Sequence, residues 1–333
     1  MMQNDEILRI KNLETKFKVG KRIVNAVNGV SYSLKRGRTL GVVGESGCGK
    51  SVTAHSVLQL LPKAGYIANG EIEYIRKDGT VIRLDSLKPD GKEMRKIRGK
   101  EISMIFQDPM STLNPVYTIG DQIMENLRQH EKLTKAEARE RVLEILRDLG
   151  IPAPESRIKE YPHQFSGGMK QRVMIAIAMI CKPDILIADE PTTALDVTIQ
   201  AQILELMKRI QEENGTSIIL ITHNMGIVAE NCDDVAVMYM GRVVEFGSLE
   251  QVFTNPLHPY TQALMKSVPV LGMDKEGVLL SIPGSTPDAS TVFTGCEFAN
   301  RCSKAKPECF NRFPVDTVFE DGHRVRCLHY EEE

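Results

Sequence analysis

The chain has 333 residues, which is long enough for one large core together with a smaller second domain. Its 42 basic and 44 acidic side chains nearly cancel, and this balance excludes the general positive field that binds nucleic acids through their phosphates. The longest apolar stretch, residues 173–181, is about half as long as a membrane-spanning helix, and the N-terminus lacks the apolar core of a signal peptide. We therefore expect a cytosolic protein without the disulfides of secreted proteins.

The first predicted elements are antiparallel strands that lead into a buried strand. Between residues 6 and 44 apolar and polar positions alternate, and Gly20, Gly29 and Gly37 are predicted to mark turns. The apolar run 40–43 ends in glycines. Further short apolar runs alternate with helical periodicity and predict the buried strands of an α/β core; they lie at residues 102–106, 185–188, 218–221 and 235–239.

The segment after the first buried strand has the sequence Gly44-Glu45-Ser46-Gly47-Cys48-Gly49-Lys50-Ser51 and precedes a predicted helix. This is the context of a phosphate-binding P-loop, in which glycines let backbone N–H groups face the phosphates at a helix N-terminus. Lys50 is predicted to reach the β and γ oxygens of ATP and Ser51 to ligate magnesium. Cys48 is predicted to be a small filler at a variable position of the loop. The predicted ATP-binding residues are Gly44, Ser46, Gly47, Cys48, Gly49, Lys50, Ser51 and Val52.

Two further features lie in the middle of the chain. Residues 120–150 place apolar side chains at helical spacing among many charges, which predicts an amphipathic helical insert. The later run 185–188 ends in Asp189 and Glu190. One carboxylate at this strand end suits the magnesium shell, and position favours Glu190 as the base for the water that attacks the γ-phosphate.

Beyond about residue 250 the composition shifts toward proline and cysteine, which predicts a separate, irregular appendage. Cys296, Cys302, Cys309 and Cys327 lie close together there, at spacings unlike the paired Cys-x-x-Cys of zinc ribbons. Four thiolates are nevertheless the right number for a metal cluster.

The segment Phe165-Ser166-Gly167-Gly168-Met169 precedes a helix that is predicted to begin at Lys170. Together with Gln107, Asp196 and His223, this segment resembles the motif set of ABC ATPases, although the commonest signature has Leu and Gln at its ends. The strings at 107–115, 188–196 and 258–261 resemble the dipeptide and oligopeptide permease ATPases. The resemblance implies an α/β P-loop NTPase (RecA-like) core with an antiparallel β subdomain and a helical subdomain at about 108–172. These would form an ATPase domain at 1–250, followed by a cysteine-containing extension at 251–333.

The same resemblance implies roles for individual residues. Glu190, His223, Gln107 and Lys50 would be catalytic, with His223 at the γ-phosphate and Gln107 sensing magnesium and the attacking water. Magnesium would be bound by Ser51, Gln107 and Asp189. The signature residues Ser166, Gly167 and Gly168 and the aspartate at the dimer contact, Asp196, would complete the ATP site of the opposite subunit. Phe17 would stack on adenine, and a plain core role for this ring remains open.

In this family, similarly placed cysteines hold a [4Fe–4S] cluster, which would staple the proline-rich extension. Zinc and free buried thiols remain the alternatives for Cys296, Cys302, Cys309 and Cys327.

The resemblance implies the ATP-hydrolysing subunit of an importer for dipeptides or oligopeptides at the cytoplasmic face of the membrane. Nickel and glutathione importers share much of the pattern and remain alternatives. A soluble ABC ATPase acting on DNA or ribosomes is opposed by the lack of a long heptad coiled coil and of a second ATPase copy. The implied partners are a similar, non-identical ATPase subunit and two membrane permease subunits, which would dock near residues 107–115 and the helical insert. An extracellular peptide-binding protein would be an indirect partner, and no nucleic acid is expected to bind.

Overall fold

The computed structural model describes residues 5–108, 112–193, 195–267 and 282–331. The chain divides into two compact units, and one of the two boundaries falls within the strand Ser217–Thr222. Unit 1 consists of Met1–Ser86 and Leu220–Glu333, and unit 2 consists of Leu87–Ile219. Residues 109–111 of the predicted docking surface, and Ala194 beside the acidic motif, lie outside the described residues.

The described residues form twelve strands and ten α-helices. The strands are β1 (Glu6–Val19), β2 (Arg22–Lys35), β3 (Thr39–Val43), β4 (Gly65–Ile75), β5 (Val81–Arg83), β6 (Ile102–Ile105), β7 (Ile185–Asp189), β8 (Ser217–Thr222), β9 (Asp234–Tyr239), β10 (Arg242–Ser248), β11 (Asp316–Val318) and β12 (Arg324–Arg326). The helices are α1 (Lys50–Val57), α2 (Lys92–Ile97), α3 (Ile119–His130), α4 (Lys135–Asp148), α5 (Pro154–Arg157), α6 (Gly167–Met179), α7 (Val197–Asn214), α8 (Met225–Asn231), α9 (Leu249–Thr254) and α10 (Pro259–Lys266). Short 3₁₀ turns occupy Leu84–Ser86, Pro162–Gln164, Ala299–Arg301 and Pro307–Phe310.

An antiparallel sheet in unit 1 has the strand order β2-β1-β4-β5. The hairpin between β1 and β2 turns at Gly20, as predicted, but the turn predicted at Gly29 is wrong. Gly29 lies inside β2 with a φ of 80°, between the pairs Leu13↔Val30 and Glu14↔Asn28, where the register shifts. The left-handed conformation that favours glycine serves a β-bulge here, because a bulge needs the same positive φ as many turns.

The second sheet of unit 1 contains the strand order β11-β12-β10-β9-β3. β3 and β9 are parallel and wholly buried, which confirms the strands predicted at 40–43 and 235–239. The extension is less irregular than its composition predicts, since β12 pairs antiparallel with β10 through Glu245↔Val325, and β11 pairs with β12. These three-residue strands are held by a longer neighbour, which no local sequence signal reveals.

Unit 2 combines a parallel strand pair with helices. β6 and β7 are buried and run parallel, with Ile105 opposite Ala188, which confirms both predicted strands. The predicted helical insert forms α3 and α4, each with a threonine N-cap: Thr118 accepts from the backbone of Asp121, and Thr134 forms a capping box with Glu137. In the described part of the chain, no helix is both long and apolar enough to cross a membrane.

Candidate active site

The predicted phosphate-binding loop connects β3 to α1 in unit 1. Its glycines are required by close backbone contacts and by left-handed φ values, which are 99° at Gly49 and 80° at Gly47. A Cβ added at Gly44 would overlap the carbonyl oxygen of Met238, and one added at Gly49 would overlap that of Ala26. The loop therefore wraps tightly before the N-terminus of α1, where backbone N–H groups can bind an anion.

Lys50 is the first residue of α1, and its side chain folds back over the loop. Its ammonium donates to the carbonyl oxygen of Gly44 at 2.7 Å and to that of Glu45 at 3.0 Å, and the residue is 5% exposed. Cys48 is buried beside it, and burial raises the pKa of its thiol. A neutral Cys48 fits its predicted role as a small filler of the loop.

The second loop residue, Glu45, is bound by side chains from distant parts of unit 1. Its carboxylate accepts from Arg301 (2.6 and 2.9 Å) and from the Thr286 hydroxyl (2.9 Å). Its backbone N–H donates to the Tyr260 hydroxyl at 2.9 Å. The Arg301 hydrogen bonds are the main reason that the pKa of Glu45 lies below its ordinary value, with Thr286 and the nearby Lys50 contributing.

His223 lies at the same side of unit 1 as the loop. It directly follows β8, is exposed, and lines an open cavity of about 550 Å³ together with Gly44, Glu45 and Ser46. The far wall of the cavity belongs to the extension and includes Thr286 and Arg301. The structure thus brings the predicted γ-phosphate contact His223 to the phosphate-binding loop.

Asp189, Glu190 and Gln107 belong to unit 2, at the C-terminal ends of the parallel strands β7 and β6. Asp189 is buried, whereas Glu190 is partly exposed in a left-handed conformation with a φ of 46°. The Glu190 carboxylate accepts from the Gln107 side-chain amide at 3.1 Å and from the Thr193 hydroxyl at 2.9 Å. The predicted base and the predicted switch glutamine are therefore in direct contact.

The signature segment begins α6 rather than preceding it. The expected helix start at Lys170 is three residues late, because Ser166 is the N-cap and accepts from the backbone of Met169, so that Gly167 and Gly168 form the first turn. Asp196 caps α7 in the same way. A Cβ on Gly168 would lie 3.0 Å from Ile199, which places the two capped helix ends side by side within unit 2. Ser166 and Asp196 are exposed.

Phe17, the predicted adenine contact, lies in β1 and is half buried. Its ring packs on the backbone of Gly65 in β4, where an added Cβ would come within 2.7 Å of the ring. One ring face thus has a structural role within the sheet.

The cysteines of the extension form a loose group in unit 1. The backbone N–H of Cys296 donates to the carbonyl of Cys309 at 2.8 Å, and both residues belong to one apolar cluster. Backbone N–H groups donate to the sulfurs of Cys302 and Cys309 at 3.4 Å. Burial raises the pKa of Cys296 to about 12 and also raises the pKa values of Cys302 and Cys327.

In this arrangement the four cysteines are not placed to hold the predicted [4Fe–4S] cluster. Across residues 5–108, 112–193, 195–267 and 282–331, no group of three or more His, Cys, Asp or Glu side chains is placed to hold a metal ion. Cys296, Cys309 and Cys327 belong to the apolar clusters of the extension. Burial favours the neutral thiol over the thiolate that a metal requires at Cys296, Cys302 and Cys327.

Sequence reasoning missed the residues that tie the extension to the loop. The string containing Tyr260 indicated a family without indicating a role, and Arg301 stands 256 positions after its partner Glu45. The only local signal was an arginine directly before Cys302. A contact over such a distance along the chain leaves no spacing pattern to detect.

Residues 27–193 match the family described as "ABC transporter", and residues 244–309 match the family described as "Oligopeptide/dipeptide transporter, C-terminal region". The dipeptide transport ATP-binding protein DppD of Bacillus subtilis is 50% identical over 97% of this chain and 94% of its own length. The oligopeptide transport ATP-binding protein OppD of the same organism is 48% identical over 98% of this chain and 89% of its own.

Solved structures show the same similarity. A dimeric bacterial ABC transporter cassette superposes with a TM-score of 0.63 and 30% identity, covering 73% of this chain and 98% of the cassette. The cbiO1 protein of Clostridium perfringens, part of an ABC transporter complex, has a TM-score of 0.62 and 30% identity, covering 76% of this chain and 92% of its own. The fold predicted from the motifs, an ABC-type P-loop core, is confirmed.

Proposed function

The chain belongs to the ABC transporter family, among the ATP-binding proteins of dipeptide and oligopeptide transporters, and from this premise we propose that it hydrolyses ATP to drive peptide import. The observation that carries the proposal is the phosphate-binding loop, in which Lys50 is held over the carbonyls of Gly44 and Glu45 at the start of α1. The boundary between an ATPase domain at 1–250 and an extension at 251–333 is part of this proposal.

The proposed chemistry divides between residues that bind phosphate and residues that handle water. Lys50 and the loop N–H groups bind the phosphates and stabilise the charge that develops during phosphoryl transfer. Ser51, Asp189 and Gln107 would hold magnesium, which would neutralise charge on the phosphate oxygens. Glu190 polarises the attacking water, and His223 contacts the γ-phosphate. The contact between Gln107 and Glu190 supports these roles, since it couples the magnesium ligand to the base.

The second half of each site would come from a partner ATPase subunit. Ser166, Gly167 and Gly168 offer an exposed, capped helix N-terminus, and a helix N-terminus attracts phosphate. Asp196 lies at the neighbouring helix end and would contact the partner. We propose that two such subunits close on two ATP molecules and that this closure moves two membrane permease subunits. The permease subunits would dock near Gln107 and the helical insert, and the ATPase subunits would lie at the cytoplasmic face of the membrane.

Hydrolysis by the transporter complex tests the assigned base. We expect Glu190→Gln to retain ATP binding and to lower phosphate release about 10²–10⁴-fold, because a general base contributes roughly this factor. Lys50→Ala should lose ATP binding itself. Glu205→Gln, an exposed carboxylate on α7, is the matched control and should hydrolyse at the parent rate. A Glu190→Gln complex that releases phosphate as fast as the parent would contradict the assignment.

The relatives' names support peptides as the substrate class, since DppD and OppD are dipeptide and oligopeptide transport proteins. Cells carrying the parent gene or the Glu190→Gln variant should differ in uptake of a labelled dipeptide. Uptake of nickel or glutathione that depends on Glu190, with no change for dipeptides, would replace the peptide assignment with one of those alternatives.

We also propose a [4Fe–4S] cluster on Cys296, Cys302, Cys309 and Cys327, with zinc as the alternative. Backbone N–H groups that donate to two of the sulfurs support it, since such donors stabilise thiolates. Binding would require the four thiols to draw closer together. About four irons and four sulfides per anaerobically purified chain would support the cluster, whereas zinc alone, or no metal, would refute it.

A further inference from the structure

The carboxylate of Glu45, in the phosphate-binding loop, is held by residues of the C-terminal extension. Arg301 makes a two-point ion pair with it at 2.6 and 2.9 Å, and Thr286 donates to Oε2 at 2.9 Å. The side chains of Arg301 and Glu45 are 6% and 24% exposed, so water screens this pair only partly.

A carboxylate at this position opposes phosphate binding unless its charge is compensated. Glu45 shares the loop with Lys50, whose charge contributes to lowering the pKa of Glu45, so the two groups interact electrostatically across the loop. An uncompensated carboxylate would repel the phosphates and compete with them for the Lys50 ammonium. Arg301 offsets the charge of Glu45 through bidentate geometry, the strongest form of such a pair.

Arg301 is itself fixed in place. Its Nε donates to the Pro283 carbonyl at 2.9 Å, and its Nη1 donates to the Tyr239 hydroxyl at 3.3 Å. The guanidinium lies over the rings of Tyr239 and Phe298, at 5.8 and 6.0 Å from their centroids. A guanidinium held at so many points can hold its partner in turn.

The backbone of Glu45 is also part of the phosphate site. Its N–H donates to the hydroxyl of Tyr260, a residue of α10 that is fully buried against Tyr239 and Phe298. Its carbonyl accepts from the Lys50 ammonium. Displacement of the Glu45 side chain would therefore shift a peptide group that Lys50 contacts, and small displacements at a binding loop have large effects on binding.

We propose that Arg301 is a positioning residue of the ATP site, supplied by the C-terminal extension: it holds Glu45 and removes the effect of its charge on the bound phosphates. The proposal rests on the proposed binding of ATP by this loop. It makes the extension part of the nucleotide site rather than an independent appendage.

A double-mutant cycle on the full chain tests this role through equilibrium binding of a fluorescent ATP analogue with magnesium. Arg301→Met should weaken ATP binding about tenfold, a factor that corresponds to about 1.4 kcal/mol. In the transporter complex its KM for ATP should rise by a similar factor while kcat stays within about twofold. In a Glu45→Gln background the same substitution should change binding less than about twofold, because the charge to be compensated is gone.

Arg324→Met is the matched control, since Arg324 is also a largely buried arginine of the extension. Its guanidinium contacts the Ser31 carbonyl, lies 5.1 Å from the Phe246 ring centroid and pairs with Asp316 at 3.8 Å, and these partners lie outside the phosphate-binding loop. This variant should bind ATP as the parent does. If Arg301→Met does not fold, Arg301→Lys carries the test, with an expected weakening of about threefold because a lysine keeps the charge without the bidentate geometry.

The outcomes separate the two proposals. Parent-like binding by Arg301→Met, or an equal loss with and without Glu45→Gln, would overturn the positioning role while leaving ATP binding intact. An equal loss in the Arg324→Met control would show that any damage to the extension weakens binding, and would also overturn it. Failure of the parent chain to bind ATP, or unchanged binding by Lys50→Ala, would instead refute the proposed function.

Discussion

Glu245 provides a sharp test of how the extension is attached. This glutamate lies in β10, is 1% exposed, and accepts hydrogen bonds from the backbone N–H groups of Leu257 and His258, both at 2.8 Å. The ring of His323, next to β12, contacts the same carboxylate at 2.9 Å. A buried carboxylate thus joins the core sheet to the segment before α10 and to the C-terminal strand pair.

Substitution by glutamine removes one acceptor and adds a donor. With the amide oxygen in place of Oε1, the contacts to Leu257 and His323 survive, but the amide nitrogen then faces the N–H of His258. A buried donor left without an acceptor costs about 1–3 kcal/mol. In a unit of about 200 residues, a loss of about 2 kcal/mol lowers the melting temperature by about 4–8 °C. Alanine would leave both backbone donors unsatisfied and cost about 2–6 kcal/mol.

Differential scanning calorimetry of the full chain measures this loss, and hydrogen exchange at Val325 in β12 reports where it acts. Glu250→Gln is the control, because Glu250 is an exposed carboxylate five positions further on, in α9. We expect the control to melt within about 2 °C of the parent. An unchanged melting temperature and unchanged exchange in Glu245→Gln would refute the reasoning that this carboxylate anchors the extension.

Two further predictions concern pH and packing. Burial lowers the pKa of His258 to about 4, so between pH 7 and pH 5 the unfolded chain takes up a proton that the folded chain does not. This group should make the folded state about 2 kcal/mol less stable at pH 5 than at pH 7 in urea titrations. The variant His258→Asn can keep the cap on the backbone N–H of Tyr260 and should lose this pH dependence of stability. An equal pH dependence in the variant would contradict the assignment to His258. Gly120→Ala should destabilise unit 2 by about 1–3 kcal/mol, because the added Cβ would lie 2.6 Å from the Ile158 carbonyl oxygen. The control is Glu125→Ala, at an exposed position of the same helix, and it should change the urea midpoint little. Equal midpoints for the two variants would refute the predicted overlap.

The phosphate-binding loop could be predicted because its parts are contiguous in sequence. Eight neighbouring residues set the turn, the helix start and the position of Lys50, so local chemistry alone determines the geometry. The pairing of Gln107 with Glu190 was foreseeable for a related reason: each follows a buried strand, and adjacent parallel strands end at the same edge.

Other features depend on contacts that no local pattern encodes. Gly29 was interpreted as a turn because a positive φ suits turns and bulges equally, and only the strand register separates the two. The strands β11 and β12 are too short to be predicted and exist because β10 pairs with them. The start of α6 was misplaced because glycine is a poor helix former, although the Ser166 cap overrides that preference.

The contacts of Lys50 and Glu45 together indicate why a loop built from local sequence should depend on a distant arginine. Phosphate oxygens would compete with the Gly44 and Glu45 carbonyls for the Lys50 ammonium, and charge-assisted bonds to phosphate are the stronger ones. Once Lys50 turns toward phosphate, Glu45 loses one of its contacts inside the loop. Its position then rests on Arg301, Thr286 and Tyr260. The contribution of Arg301 should therefore be larger with ATP bound than without it, so ATP should stabilise the parent chain against heat more than it stabilises Arg301→Met.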